Sequence, residues 1–320
     1  MFRIACASLF AIVNAMPAPA AVAADGYPQK PIRLVIPFSP GGGTDLLARA
    51  LSEKIGEILG ATVLVDNRPG AGGTLGAAMV ARAAPDGYTF LFTSAAYTFT
   101  PSLYKDLPYD PLKDFKPVTM FASTPNILVV HPSMPVKTVM ELLALARKRP
   151  GEIHFGSGGH GSNVHLTTEL FMYMAKIKLV HVPYKGAGPA QIALMSGEVQ
   201  VLLPAFQSAL PFVKSGQMRA LAVSTRQRSP VLPDLPTLDE AGVPGYDKAA
   251  WFALFAPAAV PESIITRVHQ AAVNVLKNPD IVKRLAAEGA VAVGNSPAEF
   301  DAFVRSEIAA WRKLIREMKL

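Results

Sequence analysis

A short strand, a glycine-rich turn and a helix follow one another four times along this chain, twice in each half. The first unit runs from a β-branched strand at 32–36 through Gly41-Gly42-Gly43 into a helix that begins at Thr44 or Asp45. Apolar residues recur at helical spacing after each turn. Strands that alternate with helices in this way build parallel sheets covered by helices. The pattern therefore predicts an α/β fold with two similar lobes and mostly parallel sheets.

The two predicted lobes face each other across a cleft, because open α/β sheets bind ligands at the carboxyl ends of their strands. We assign residues 25–125 and 248–320 to the first lobe and residues 126–247 to the second. The proline-rich stretch 230–244 is predicted to be a surface connection. The helical C-terminus, 261–320, is predicted to pack the lobes.

The first 24 residues have the layout of a secretory signal peptide. Arg3 precedes an apolar stretch, and small residues and prolines follow it up to Ala24. The apolar run is too short to span a bilayer, and we predict cleavage after Ala23 or Ala24. The single cysteine, Cys6, lies in this segment, so the mature chain depends on core burial instead of disulfides. These features predict export to the periplasm.

The charge distribution argues against nucleic acid as a partner. The net charge is +7 over 320 residues, and lysine and arginine are scattered along the chain. Nucleic-acid-binding proteins instead gather them into a basic stripe, with aromatic residues between. A mild positive field favours the capture of small anions by electrostatic steering.

Four glycine turns place backbone amides at the starts of predicted helices, at 40–45, 70–74, 156–162 and 186–188. The first N–H groups of a helix lack intrahelical partners and carry partial positive charge, so they favour an anion without any cationic side chain. None of the turns has the lysine of a P-loop or the spacing of a dinucleotide fingerprint. The turns therefore predict a small-anion site made of main chain, with no cofactor.

Four sequence blocks coincide with these turns. The chain reads PFSPGGGTD at 37–45 and NRPGAGG at 67–73, and two further blocks lie at 156–166 and 182–186. In order and spacing they resemble the Bug-type periplasmic receptors of tripartite tricarboxylate transporters, over nearly the whole predicted mature chain. The resemblance implies a two-lobed periplasmic binding protein of the second type, a Venus flytrap. It also implies a small organic acid as ligand and a two-subunit membrane permease as partner.

Carried over by position, the resemblance implies a set of ligand-binding residues that act through backbone amides and small hydroxyl groups. From the first lobe the set contains Phe38, Gly42, Thr44, Asp45, Ala71 and Gly72. From the second lobe it contains Ser157, Gly159, Ser162, His165, Ala187 and Gly188. Ser94, a small polar residue at the end of a predicted strand, completes it. We expect a monomer that binds by reversible lobe closure and performs no chemistry.

One stretch departs from the family pattern. Relatives usually carry acidic residues around the strand at 200–205, commonly Phe-Asp near its end, where this chain has Leu203-Pro204. The loss of a carboxylate and an aromatic ring changes the wall of the cleft. The ligand is therefore left open between mono- and dicarboxylates, including aromatic and amino acids.

Some of these residues also have simpler explanations. Asp45 is as well suited to cap a helix as to contact a ligand. Ser157 and His165 lack the G-x-S-x-G elbow and the orienting acid of a hydrolase. The spacing of His154, His160 and His165 fits no common metal site, so no metal is expected.

Trp251 and Phe252 either close over the cleft or fill the core, and their apolar surroundings favour the core. Two other classes of function stay open at this point. One is a ligand-sensing receptor for a membrane signalling partner. The other is a secreted α/β hydrolase with Ser157 as its nucleophile.

Overall fold

The computed structural model describes residues 26–320, so the predicted signal segment and its cleavage position lie outside the described residues. In chain order the strands are β1 (Ile32–Ile36), β2 (Val63–Asn67), β3 (Thr89–Ser94), β4 (Phe115–Pro125), β5 (Ile127–Val130), β6 (His154–Ser157), β7 (Val180–Pro183), β8 (Val201–Leu202), β9 (Arg219–Val223), β10 (Ala249–Pro257) and β11 (Val291–Ala292).

The helices alternate with these strands, as the repeated unit predicts. They are α1 (Gly43–Leu59), α2 (Thr74–Ala81), α3 (Ala96–Leu103), α4 (Val139–Lys148), α5 (Asn163–Ala175), α6 (Ala187–Met195), α7 (Phe206–Lys214), α8 (Glu262–Leu276), α9 (Pro279–Ala287) and α10 (Pro297–Met318). A single 3-10 turn, Ala71–Gly73, leads directly into α2.

The strands form two sheets, and both are mixed. The first has the order β11-β4-β10-β3-β1-β2, and the second has the order β7-β6-β8-β5-β9. Parallel pairs join β1 to β2 and β3, and β6 to β7 and β8. The remaining pairs, which involve β10, β11 and β5, are antiparallel. The expectation of mostly parallel sheets is therefore wrong in this detail, because strands that arrive from the other sheet need no crossover helix and pair antiparallel.

The chain passes between the sheets at two places that lie side by side. The first crossing joins β4 to β5 through Asn126, and the second leads from β9 through Ser224 and Lys248 to β10. Asn126 N donates to Ser224 Oγ at 2.7 Å, Ser224 N donates to Asn126 O at 2.9 Å, and Lys248 N donates to Ser224 O at 2.9 Å. Because the predicted lobe boundaries fall within these crossings, we keep that division as a proposal.

The C-terminal helix packs against the first sheet and its helices. Trp311 on α10 is 2% exposed, and its ring centroid lies 4.3 Å from that of Phe99 on α3. Trp251 on β10 is also buried and meets the rings of Phe300 and Phe303 edge-on. Large aromatic side chains of this kind contribute much of the stability of a core without disulfides.

The proline-rich segment 230–244 is more than the surface connection expected from its composition. Thr237 and Leu238 are fully buried. Val223 N donates to Pro236 O at 2.9 Å, and Leu238 N donates to Val223 O at 2.8 Å. The segment thus covers the β9 edge of the second sheet, where unpaired strand groups would otherwise be exposed.

Candidate functional site

A cavity lies between the two sheets at a point where several helices begin. Its lining residues are Phe38, Gly42, Gly43, Thr44, Asp45, Ser94, Gly158, Ser162, Asn163, Val164, Ala187, Ala205 and Phe252. Helices α1, α5 and α6 each start with one of these residues, and Ala205 is the N-cap of α7. Ser94 ends β3, just before α3. The carboxyl ends of β1 and β3 and the starts of these helices thus meet at one place, as open α/β sheets require.

Three of the four helix starts at this cavity leave backbone N–H groups free of side-chain caps, whereas the side chain of Ser162 caps α5 by accepting from His165 N. Gly42, Gly186 and Ala205, the N-caps of α1, α6 and α7, make no side-chain cap hydrogen bond. By contrast, Thr138 and Ser296 form full capping boxes on α4 and α10, whose residues do not line the cavity. Uncapped first-turn amides and the helix dipole together favour an anion.

Asp45 is the only ionisable side chain among the lining residues, and the protein already surrounds its carboxylate. Its Oδ2 accepts from Gly41 N at 3.0 Å, and its Oδ1 accepts from Arg49 Nε at 2.9 Å and Asn67 Nδ2 at 3.0 Å. Burial alone would raise the pKa of Asp45, but these hydrogen bonds outweigh it, so the pKa lies below its usual value. This geometry gives Asp45 a structural role, that of holding the 41–45 loop in place.

The expected ligand-binding residues divide into three groups by position. The cavity is lined by Phe38, Gly42, Thr44, Asp45, Ser94, Ser162 and Ala187. Ala71, Gly72 and Gly159 line a neighbouring cleft together with His160 and Tyr184. Ser157, His165 and Gly188 line neither space. The structure therefore brings together the first glycine turn and the starts of α5 and α6, while Ala71 and Gly72 lie beside the cavity.

Loops from the two sheets touch each other directly beside the cavity. Ser39 N donates to Lys185 O at 3.0 Å, and Tyr104 Oη donates to His160 O at 2.9 Å. The protein is therefore in a closed conformation, with the cleft between the sheets shut by backbone contacts.

Two of the expected ligand-binding residues, Gly72 and Gly188, allow the backbones on the two sides of the cleft to approach closely. A Cβ at Gly72 would collide with the carbonyl oxygen of His160, and a Cβ at Gly188 would collide with the carbonyl oxygen of Pro40. Gly72 also has a φ of +63°, which favours glycine for a second reason. Close approach of the two backbones thus explains both glycines without a ligand contact.

Ser157 and His165 lie behind the second-sheet glycine turn. Ser157 is fully buried, and its Oγ lies 2.6 Å from Nε2 of His181 and accepts from Gly159 N at 3.0 Å. His165 Nδ1 accepts from Gly161 N at 3.2 Å. These bonds fix the shape of the turn, so both residues support the cavity wall from behind.

Burial keeps His165 and His181 neutral. Burial, together with the neighbouring His181 and His160, lowers the pKa of His165 to about 3. Burial and the neighbouring His160 lower the pKa of His181 to about 4. Near neutral pH the turn is therefore supported by uncharged rings, which add no fixed charge behind the cavity.

Sequence reasoning missed several lining residues, namely Gly43, Gly158, Asn163, Val164, Ala205 and Phe252. The first four stand inside the motif blocks, so proximity to the named residues was the available signal. Ala205 ends the stretch that departs from the family pattern. Phe252 is 2% exposed and belongs to the core, yet its ring also forms part of the cavity wall. Phe252 therefore belongs to both the core and the cavity wall, whereas Trp251 lies in the core.

A family model described as tripartite tricarboxylate transporter family receptor (TctC) matches residues 47–320. The chain belongs to this family. The protein BugT of Bordetella pertussis (strain Tohama I) is 37% identical over 300 residues, which cover 93% of this chain and 92% of BugT. The resemblance stated from the motif blocks is thereby confirmed, and this chain is a solute-binding receptor of the TctC family.

Two solved structures that contain ligands are close to this fold. Rpa4515 of R. palustris with adipate has a TM-score of 0.89 and 38% identity, covering 92% of this chain and 98% of that one. MatC from Rhodopseudomonas palustris with bound malate has a TM-score of 0.87 and 32% identity, covering 90% of this chain and 100% of that one. The predicted α/β fold of a periplasmic binding protein is confirmed.

Within residues 26–320 no helix is both long and apolar enough to cross a membrane. No group of three or more His, Cys, Asp or Glu side chains in the same range is arranged to hold a metal ion.

Proposed function

We propose that this TctC-family receptor is exported to the periplasm, binds a small carboxylate in the cavity and presents it to a two-subunit membrane permease. The observation that carries the proposal is the convergence of the uncapped starts of α1, α6 and α7 on a cavity without a cationic side chain. A carboxylate fits such a site because its oxygens accept hydrogen bonds from backbone N–H groups.

The helix starts make a substantial contribution to the affinity of such a site. A helix N-terminus stabilises an anion by about 0.3–1 kcal/mol when exposed and by up to about 2 kcal/mol when partly buried. Three termini at about 1 kcal/mol each correspond to about a hundredfold in Kd. Hydrogen bonds to charged groups add to this, since they are stronger than neutral ones.

Lobe closure is the mechanism of the proposed receptor. A ligand held by α1 on one side and by α6 on the other binds the closed form better than the open form, so it shifts the population toward closure. The permease then encounters the closed conformation, which the bound ligand favours. We propose that the receptor acts as a monomer.

No catalytic step belongs to the proposal. Ser157 is completely buried, does not line the cavity and is bonded to His181 and not to His165, the other member of the pair considered for a hydrolase. This arrangement supports a structural role for the serine and argues against the hydrolase alternative. The relatives with adipate and malate support the carboxylate class for this chain as well.

A thermal-shift screen of organic acids tests the proposal. A ligand at a hundred times its Kd stabilises the folded state by about 2.7 kcal/mol, which corresponds to about 5 °C in Tm for a protein of this size. We expect at least one carboxylate to produce such a shift, while neutral sugars and cations produce none. The opposite result, with sugars or cations active and every carboxylate inactive, would overturn the ligand class.

A further inference from the structure

Acidic residues are distributed unevenly among the helix starts of this protein. Helices α5, α6 and α7, which begin at the cavity, have no acidic residue in their first turn. Helices α4, α8, α9 and α10, whose residues do not line the cavity, each have one. An acidic residue in the first turn normally stabilises a helix through its dipole. Three helices thus lack this stabilising contact at the place where we propose that an anion binds.

Helix α5 has a histidine where α4 has its acid. His165 is the third residue of α5, and Glu141, the third residue of α4, completes a capping box. The backbone N of His165 donates to Ser162 Oγ at 3.3 Å, and its Nδ1 accepts from Gly161 N at 3.2 Å. The carboxylate of Glu141 likewise accepts from Lys137 N, one residue before the N-cap. His165 therefore closes a cap of the same kind with an imidazole instead of a carboxylate.

The imidazole of His165 brings no charge to this position. A histidine whose Nδ1 accepts a hydrogen bond carries its single proton on Nε2 and is neutral. Burial, together with the neighbouring His181 and His160, also lowers its pKa to about 3. The carboxyl Oε1 of Glu169 lies 3.5 Å from Nε2 of His165, and burial raises the pKa of Glu169 to about 7. Negative charge is thus absent from His165 and reduced beside it near neutral pH.

A carboxylate at position 165 would have no cation to balance it. Asp45, the acid in the first turn of α1, lines the cavity, but Arg49 Nε donates to its Oδ1 at 2.9 Å. Among the described residues, the ionisable side chains around His165 are the two neighbouring histidines and Glu169, with no lysine or arginine. Residues 162–164, directly before His165, line the cavity. An unbalanced charge here would repel an anionic ligand, because the interior screens charges less than water does.

We propose that His165 is a specificity-determining residue that favours an anionic ligand by capping α5 without a negative charge. This inference rests on the proposed function, because it assumes that the carboxylate is held by the helix starts. It gives His165 a role other than the direct ligand contact that the family resemblance implies. The imidazole stabilises the helix start and leaves its partial positive charge available to the ligand.

A matched pair of variants separates the charge at this position from the cap. The side chains in His165→Glu and His165→Gln have nearly the same size and both can accept from Gly161 N, but only the glutamate carries a charge. Isothermal titration with adipate, malate, lactate and benzoate measures the Kd. For the acid that the wild-type protein binds most tightly, we expect a Kd at pH 7 about tenfold or more higher in His165→Glu than in His165→Gln.

The pH dependence distinguishes charge repulsion from a distorted turn. The ratio of the two Kd values should fall toward one between pH 7 and pH 4, as the introduced carboxyl group takes up a proton. Protonation of the ligand affects both variants equally and cancels in the ratio. Equal Kd values at pH 7, or a ratio that does not change with pH, would overturn the inference but leave the carboxylate receptor intact.

The control is Glu141→Gln, which changes the same charge at the same position of α4, away from the cavity. Its Kd should match that of the wild type. If circular dichroism shows that His165→Glu does not fold, Ser162→Asp and Ser162→Asn provide the same comparison, since both are good N-caps and only the first is charged. Equal Kd values for this second pair would also overturn the inference. If none of the four acids binds the wild type, the proposed function fails together with the inference.

Discussion

At the scale of single residues, Asp45 is an acidic side chain in the wall of the proposed anion site. The protein itself already neutralises its charge. Its carboxylate organises the loop that leads into α1, with Arg49 as the opposing charge. Because Asn67 and Gly41 complete its hydrogen bonds, it has little capacity left for a ligand. We therefore expect its removal to lower the stability of the fold more than the affinity for the ligand.

We predict that Asp45→Asn lowers the free energy of unfolding by about 1–3 kcal/mol at pH 7, because a buried, charge-assisted network is broken. The folded-state pKa of Asp45 is depressed, so its contribution is fully present above the unfolded value of about 3.9. That contribution is lost as the pH falls through the lower folded-state pKa. Urea unfolding of both proteins between pH 7 and pH 2 should show their stability curves converging in acid.

The matched control for this experiment is Asp106→Asn, which changes an exposed aspartate in the loop after α3. It should leave stability nearly unchanged at every pH. Curves for wild type and Asp45→Asn that stay parallel down to pH 2 would contradict the assigned role.

The sequence predicted many of these residues but not their partners. The glycine turns stand out because positive φ angles and helix starts leave local signatures. The family resemblance then names Gly42, Thr44 and Ala187, which line the cavity. The bond from Ser157 to His181 depends on how β6 and β7 come together in the second sheet, and the bond from Asn163 Nδ2 to Asn126 Oδ1 depends on a crossing between the sheets. Neither contact has a local signature in the sequence.

At the scale of elements, the starts of the helices are the groups that we propose to hold the carboxylate. Ala187 occupies the first position of α6, where proline is compatible with the helix and removes only the N–H group. We predict that Ala187→Pro raises the Kd for the carboxylate about tenfold while it changes Tm by less than about 2 °C. Titration calorimetry and thermal unfolding measure the two effects separately.

Glu262→Pro provides the comparison for this variant. It introduces proline at the first position of α8, which also lacks a side-chain cap but does not line the cavity. Its Kd should match that of the wild type. Equal affinities for all three proteins would show that the start of α6 contributes nothing to binding.

The elements themselves were largely predictable, and their pairing was not. Apolar runs and glycine turns identify β1 and β6 and the helices that follow them, and an apolar run identifies β3. The antiparallel pairing of β10 with β3 and β4 joins segments that are separated by the entire second sheet. Periodicity within a short window contains no information about such distant partners.

At the scale of the whole molecule, closure brings the backbone of Gly188 into contact with the carbonyl oxygen of Pro40. We predict that Gly188→Ala raises the Kd at least tenfold, because its methyl group collides with the carbonyl of Pro40 only when the lobes are shut. The open form should be unaffected, so the Tm of the unliganded protein should change little. Small-angle X-ray scattering should give a larger radius of gyration for the variant in saturating ligand than for the wild type.

A compact Gly188→Ala protein with wild-type affinity would show that the closed contacts are not required for binding. Ala71→Gly offers a comparison, since it alters a neighbouring loop residue without adding atoms to the interface. The two-lobed plan and its cleft were predictable from the repeated unit. The contacts of the closed state were not, because they join turns from different sheets.

The proposed use of peptide groups to hold the anion has a consequence for how receptors of this kind diverge. Most single codon changes alter a side chain and leave the peptide N–H in place, so the means of capturing a charged head group persists through long periods of drift. Side chains that line the cavity, such as those of Val164 and Ala205, can then change without removing the groups proposed to hold the charge. One backbone arrangement can in this way accept acids whose remaining parts differ in size and shape.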